Sequence, residues 1–149
     1  MTAGAGDAAP ATGPGGAQAV DKALRARSAR EVFDDHLRLA AEHRFAEDLS
    51  RNVSPSCVVL ERRGVFRGHA GVGELARLLE EELPGARYAY TNRLVEGRVA
   101  FLEWTAQVEG VRVRDGADSF LIEQGWIVAQ TIHYTLERVD GGADRPAGP

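Results

Sequence analysis

A single cysteine in 149 residues excludes an intramolecular disulfide. No set of histidines and cysteines has the spacing of a zinc site. Positive charge is not in excess: 18 Lys and Arg stand against 22 Asp and Glu, so the net charge of −4 offers no basic footprint for nucleic acid. The longest apolar runs fall far short of the roughly 20 residues that a membrane span needs. The N-terminus lacks both a basic stretch and a continuous apolar stretch, so no signal peptide is read and a cytoplasmic setting is expected.

What remains is an ordinary globular composition, 44% hydrophobic, of a length that makes one domain with a real core. The ends differ from the middle. Residues 1–20 are almost all Ala, Gly, Thr and Pro with one charge, Asp7, and the last ten residues are similar. Such segments bury too little apolar surface to offset their ordering entropy. The expectation is a disordered tail over 1–25, a folded domain over 26–138 and a second disordered tail over 139–149.

Within the domain, Ser28-Ala-Arg-Glu31 has the pattern of a capping box, and Val32, Phe33, Leu37 and Ala40 follow at helical spacing. His36 falls beside that stripe. A short helix is expected near Phe45–Leu49, strands at 57–61 and 65–67, and a third helix from Gly71 to Leu83, stopped by Pro84-Gly85. Four alternating runs follow, about 86–95, 98–108, 111–122 and 126–137. Glu96-Gly97, Glu109-Gly110 and Glu123-Gln-Gly125 separate them, as in consecutive antiparallel hairpins. Gly116 inside the third run signals a bulge or bend. Helices first and a long meander last make an α+β layout, with a curved antiparallel sheet wrapped over three helices and a pocket at its wide end.

This order of elements resembles the nuclear transport factor 2-like superfamily, and within it SnoaL-like polyketide cyclases and ketosteroid isomerases. The resemblance covers about Ser28 to Glu137. It is carried by the strand end Val58-Val-Leu-Glu61, by Phe66-Arg-Gly68 before a helix, and by Asp118-Ser-Phe running to Gly125-Trp-Ile127. It implies a cone-shaped fold, a homodimer formed through the outer sheet face, and proton-transfer chemistry on an apolar ketone without cofactor or metal. By position, Glu61 matches the family's proton-abstracting carboxylate, and Asp118 its protonated aspartate that donates to an enolate. His36 stands where the isomerases have a tyrosine. Tyr134 matches an aromatic cavity wall, and strand alternation allows Trp104, Phe120 and Ile132 to join it around Asp118.

Each residue also has a plainer reading. Glu61 precedes Arg62 and Arg63 at a turn, where a solvated charge is common. Asp118 has Arg114 and Arg98 within reach for a structural ion pair. His36 fits a satisfied helix residue, and Trp104 and Tyr134 fit core. His133 alternates with Tyr134 and belongs on the opposite face. The function expected from this reading is a small-molecule isomerase, cyclase or dehydratase; the alternative is a non-catalytic ligand-binding or dimerisation module of the same fold.

Overall fold

The structure, a computed structural model, describes residues 14–140. Its elements in chain order are α1 (Pro14–Arg25), α2 (Ala29–Ala41), α3 (Phe45–Asn52), β1 (Val53–Glu61), β2 (Gly64–Arg67), α4 (Gly68–Glu82), β3 (Arg87–Glu96), β4 (Val99–Val108), β5 (Val111–Glu123), β6 (Trp126–His133) and β7 (Glu137–Arg138). The helix expected at Ser28 starts there. Its hydroxyl accepts the Glu31 N–H at 3.1 Å, and the Glu31 carboxylate accepts the Ser28 N–H at 2.6 Å. Val32, Phe33 and Leu37 are buried as the spacing predicts, and Leu39 joins them.

Helix α1 corrects the expected tail boundary, since residues 14–25 are helical. Composition is a poor guide there because the Gly and Pro of the first turn mask the stretch Ala17–Arg25, whose Ala, Gln, Lys, Leu and Arg favour a helix. The helix end is tied down by cations instead. The Arg25 guanidinium lies over the Trp126 ring at 3.0 Å from its centroid and donates to the Arg51 carbonyl at 2.6 Å. Arg27 donates to the same carbonyl at 3.0 Å and to Asp35 at 3.2 Å. The tail expectations for 1–13 and 141–149 lie outside the described residues.

The sheet runs β2-β1-β6-β5-β4-β3. It is mixed rather than wholly antiparallel, because β1 pairs parallel with β6. It is curved and open, and its concave side holds the helices. Helix α4 packs on β1, α2 on β3 to β6, and α3 bridges α2 and β1. The core between them contains Phe33, Leu37, Val59, Leu75, Phe120 and Ile127.

Two irregularities shape the sheet near the middle of β5. The β4–β5 register shifts between Trp104↔Gly116 and Ala106↔Val113, so Arg114 and Asp115 face one residue, Thr105. This is the bulge that Gly116 signalled. Opposite it the last strand breaks: β6 ends at His133, the Thr135 N–H is taken by the Asp115 carboxylate at 2.8 Å, and β7 resumes beside Val111 and Arg112. The single expected strand over 126–137 is therefore two. At Gly116 the Trp104 ring lies against the backbone, in the space a Cβ would fill.

Ser28→Ala should lower stability by about 0.5–2 kcal/mol, read as a lower denaturation midpoint at constant slope. Gly116→Ala should cost about 1–3 kcal/mol, because the new methyl must displace a packed indole. In a Trp126→Phe background, where Trp104 is the remaining tryptophan, its fluorescence should shift to the red; unchanged emission would show that the ring is not seated on Gly116.

Candidate functional site

A cavity of about 640 Å³ opens between the concave face of the sheet and helices α2, α3 and α4. That volume suits a small organic ligand. Leu37, Val59, Val72, Leu75, Leu79 and Leu102 supply an aliphatic lining, and Tyr88, Tyr90 and Trp104 an aromatic one. Polar residues interrupt it: His36 from α2, Asp48 from α3, Asp118 from β5 and Gln130 from β6, with His43 after α2 and Arg77 and Glu80 of α4 also on the lining.

Strand geometry places Asp118. It faces Leu102 on β4 and Ile132 on β6, so its diagonal neighbours on the concave face are Trp104 and Gln130. The indole Nε1–H donates to one carboxylate oxygen at 2.9 Å, and the Gln130 amide donates to the other at 3.1 Å. The residue is 8% exposed. Burial pushes its pKa up to about 6, against the pull of these two donors and of the nearby His36 charge. Neither arginine considered for an ion pair reaches it: Arg98 pairs with Glu123 and Arg114 with Glu137. Both oxygens accept N–H groups, so the carboxyl is held as an acceptor. That is the opposite sense from an acid donating to an enolate.

His36 sits across the cavity. Its Nδ1 lies 2.8 Å from Asp48 Oδ2, and its ring meets Phe120 edge-on at 5.3 Å between centroids. Burial alone would disfavour the imidazolium. The Asp48 carboxylate, with smaller help from Asp118 and Asp35, outweighs that, and the His36 pKa lies above its ordinary value. An acceptor carboxylate with a pKa near 6 thus shares an apolar cavity with a histidine biased toward its charged form.

The other expected site residues divide. Trp104 and Ile132 line the cavity. Phe120 is buried beneath it, wedged between Phe33 and His36. Tyr134 touches Trp104 at 5.6 Å between centroids, but its hydroxyl is taken up by Arg63 and Glu82, and it does not line the cavity. Glu61 is not brought together with Asp118 and His36. It borders a separate, smaller cavity of about 290 Å³ with Arg62, His133 and Tyr134. Its carboxylate folds back on its own turn, accepting the Arg63 N–H at 2.8 Å and the Arg63 guanidinium at 3.1 Å. The tight β1–β2 turn puts those donors closer than any group in the large cavity.

Asp48, Asn52, Gln130 and Tyr88 are not singled out by the sequence. A signal for the first two exists: Asp48 and Asn52 are four apart on α3 and share a helix face, and both are buried. Among the described residues no cluster of three or more His, Cys, Asp or Glu is arranged to hold a metal, and no helix is long and apolar enough to cross a membrane.

No family model matches the chain, and no curated protein matches it. Solved structures do. An NTF-2 like protein of unknown function from Burkholderia xenovorans LB400 is 14% identical, with 80% of this chain and 91% of that one covered at a TM-score of 0.61. A SnoaL-like protein of unknown function from Burkholderia thailandensis E264 is 15% identical, with 72% and 94% covered at 0.59. TerC, co-crystallised with polyporic acid, is 18% identical, with 72% and 91% covered at 0.60. A curved, open mixed sheet with its helices on the concave side, shared with these proteins over most of their length, identifies the chain as having the nuclear transport factor 2-like fold.

Proposed function

We propose that the protein is a cofactor-independent enzyme that moves a proton on an apolar ketone held in the large cavity. The observation that carries this reading is the pairing of Asp118 with His36 across one apolar space. A general base works best with a pKa near the working pH, and burial has brought Asp118 to about 6. The base takes a proton from the carbon next to the carbonyl, and the electron pair moves onto the carbonyl oxygen. The Nε2–H of the charged His36 ring stabilises that developing charge by hydrogen bonding in a water-poor site. Return of the proton to a different carbon gives isomerisation, attack of the enolate carbon on a second carbonyl gives cyclisation, and loss of a β-hydroxyl as water gives dehydration. The aromatic wall of Tyr88, Tyr90 and Trp104 suits a flat, ring-containing ketone, and TerC, which shares the fold, was co-crystallised with polyporic acid. Glu61 has no part in this scheme.

We also infer a homodimer through the convex face. Leu94, Phe101, Ser119, Thr131, Leu60 and Val65 form one cross-strand row over six strands, and Leu94, Leu60 and Val65 are about half exposed. A row of that length, apolar at both ends with the small hydroxyl residues Ser119 and Thr131 between, fits a second copy. Leu60→Lys should shift the sedimentation coefficient from dimer to monomer; a wild-type protein that sediments as a monomer would end this inference.

The test of activity uses a bicyclic aromatic ketone, α-tetralone, in D2O. Wild-type protein should exchange its α-protons for deuterium, and Asp118→Asn should lose at least about 100-fold of that rate while keeping the fold, the range set by a lost general base. Binding of the ketone without exchange, seen as a thermal shift alone, would favour a ligand-binding module. Asp118→Asn has a second signature. The folded pKa of Asp118 is raised, so the favourable protonated form is fully present below the unfolded value of ~3.9 and lost as the pH rises through about 6. The variant should therefore gain on the order of 2 kcal/mol relative to wild type between pH 4 and pH 7. Parallel stability profiles over that range would show that Asp118 is not buried as described.

A further inference from the structure

We propose that Asp48 and Asn52 are positioning residues for His36. In the network Asp35–Asn52–Asp48–His36, Asn52 donates to both carboxylates and Asp48 is left as a pure acceptor, which keeps the proton on Nδ1 of the imidazole and leaves Nε2 as the atom that works in the cavity. This rests on the reading of the cavity as a proton-transfer site and names the residues that prepare its histidine.

The orientation of the Asn52 amide is set at the far end of the network. Asp35 accepts from Arg38 at 2.7 Å, from Arg51 at 2.9 Å and from Arg27 at 3.2 Å. Burial would raise its pKa, but these donors and Asn52 hold it well below the usual carboxylate range. Asp35 therefore only accepts. The Asn52 amide nitrogen donates to Asp35 at 3.1 Å and to Asp48 Oδ1 at 2.8 Å, which uses both of its hydrogens. The Asn52 side-chain oxygen is buried and has no partner among the described residues. Turning the amide over would bring that oxygen against two carboxylates, so the orphan acceptor marks the only tolerable orientation. No apolar side chain could bridge Asp35 and Asp48, and an aspartate at position 52 would add a third negative group. Asp48 is 2% exposed, and its other oxygen meets His36 Nδ1. A carboxylate accepts, so Nδ1 carries the hydrogen in both the neutral and the charged ring. Nε2 has no protein partner among the described residues, and the ring plane is held by Phe120.

Around His36, helix α3 contributes Asp48, β5 contributes Asp118, and Asp35 lies on α2 itself. Helix α4 brings Arg77 and Glu80 to the cavity, and His43 follows α2; Arg77 is paired with Glu74 and Glu81, and Glu80 lies 4.0 Å from His43. From β3, Tyr88 and Tyr90 line the cavity, and burial raises both hydroxyls to about 12, so they stay neutral; Tyr90 donates to the Leu37 carbonyl. The lining of β4 and β6 is Leu102, Trp104, Gln130 and Ile132, none of which titrates. Asp48 is the foremost of the groups that raise His36 against burial.

The experiment is ¹⁵N NMR of the histidine imidazoles in the full chain as the pH is varied, with the His36 signals assigned by their loss in His36→Gln. In the wild type, His36 should titrate above ~6.5, and its neutral form should be the Nδ1–H tautomer. Asp48→Asn keeps an oxygen for Nδ1–H but removes the charge, so the tautomer should persist while the pKa falls by at least about one unit. Asn52→Leu removes the donor that holds Asp48 Oδ1, so the carboxylate can turn away from Nδ1 and a mixture of tautomers should appear in a folded protein. A neutral Nε2–H form in the wild type would overturn the proposal, and so would an Asp48→Asn titration that overlays the wild type. If Asn52→Leu does not fold, the wild-type tautomer and the Asp48→Asn titration still decide between the two outcomes. These signals need no substrate, so they can fail while Asp118-dependent exchange on α-tetralone stands, or hold where that exchange is absent.

Discussion

The indole of Trp104 lying on Gly116 is the contact from which the site is built. Without a side chain at 116, the ring of one strand can rest on the backbone of the next. Its N–H then reaches Asp118, two residues along β5 on the same face. Its faces meet Tyr88 and Tyr134, which joins the cavity wall to the cluster at the sheet end. The bulge beside Gly116 bends β5 and breaks the last strand opposite, so the curvature that makes a cavity and the donor that orients its carboxylate come from one short stretch of chain.

Electrostatics inside the cavity follow from scarcity. The lining is apolar apart from a few groups, so each buried charge must find its partner among them. Asp118 has two neutral donors, which is enough to tolerate burial but too little to keep its pKa in the ordinary range. His36 has a carboxylate, which more than offsets burial. Both groups are thereby raised, Asp118 to about 6 and His36 above its ordinary value, so a carboxylate base and a charged imidazole can coexist at a pH between the two. The buried thiol of Cys57 shows the opposite case: burial alone pushes it up to about 11, and it remains inert core.

A second network ties the first turn of the structure to the same place. Arg25 and Arg27 grip the Arg51 carbonyl at the end of α3, and Arg27 and Arg51 grip Asp35 on α2. The segment before Ser28 therefore touches the residues that hold Asn52 and Asp48. Its contribution is made by guanidinium groups rather than by apolar burial, since Val20 is 60% exposed.

The capping box at Ser28, the helix expected over 71–83 and found over 68–82, and the hairpins at Gly97, Gly110 and Gly125 are legible in the sequence because they depend on near neighbours. Each of these glycines stands at positive φ where the turn requires it. Strand alternation likewise puts Asp118, Trp104 and Ile132 on one face. The parallel pairing of β1 with β6 is not legible, because it joins segments some seventy residues apart. Nor is the break at Tyr134, where a side chain from β5 captures a backbone N–H. Helix α1 escapes a reading by composition because its anchors are two arginines whose acceptors lie on other elements. The two carboxylates meet different fates, one local and one tertiary. Glu61 and Asp118 look alike as strand residues, but one has an arginine two positions away and the other has only an indole and an amide from neighbouring strands. Local periodicity determines which way a side chain points; what waits for it there is decided by the packing of distant elements.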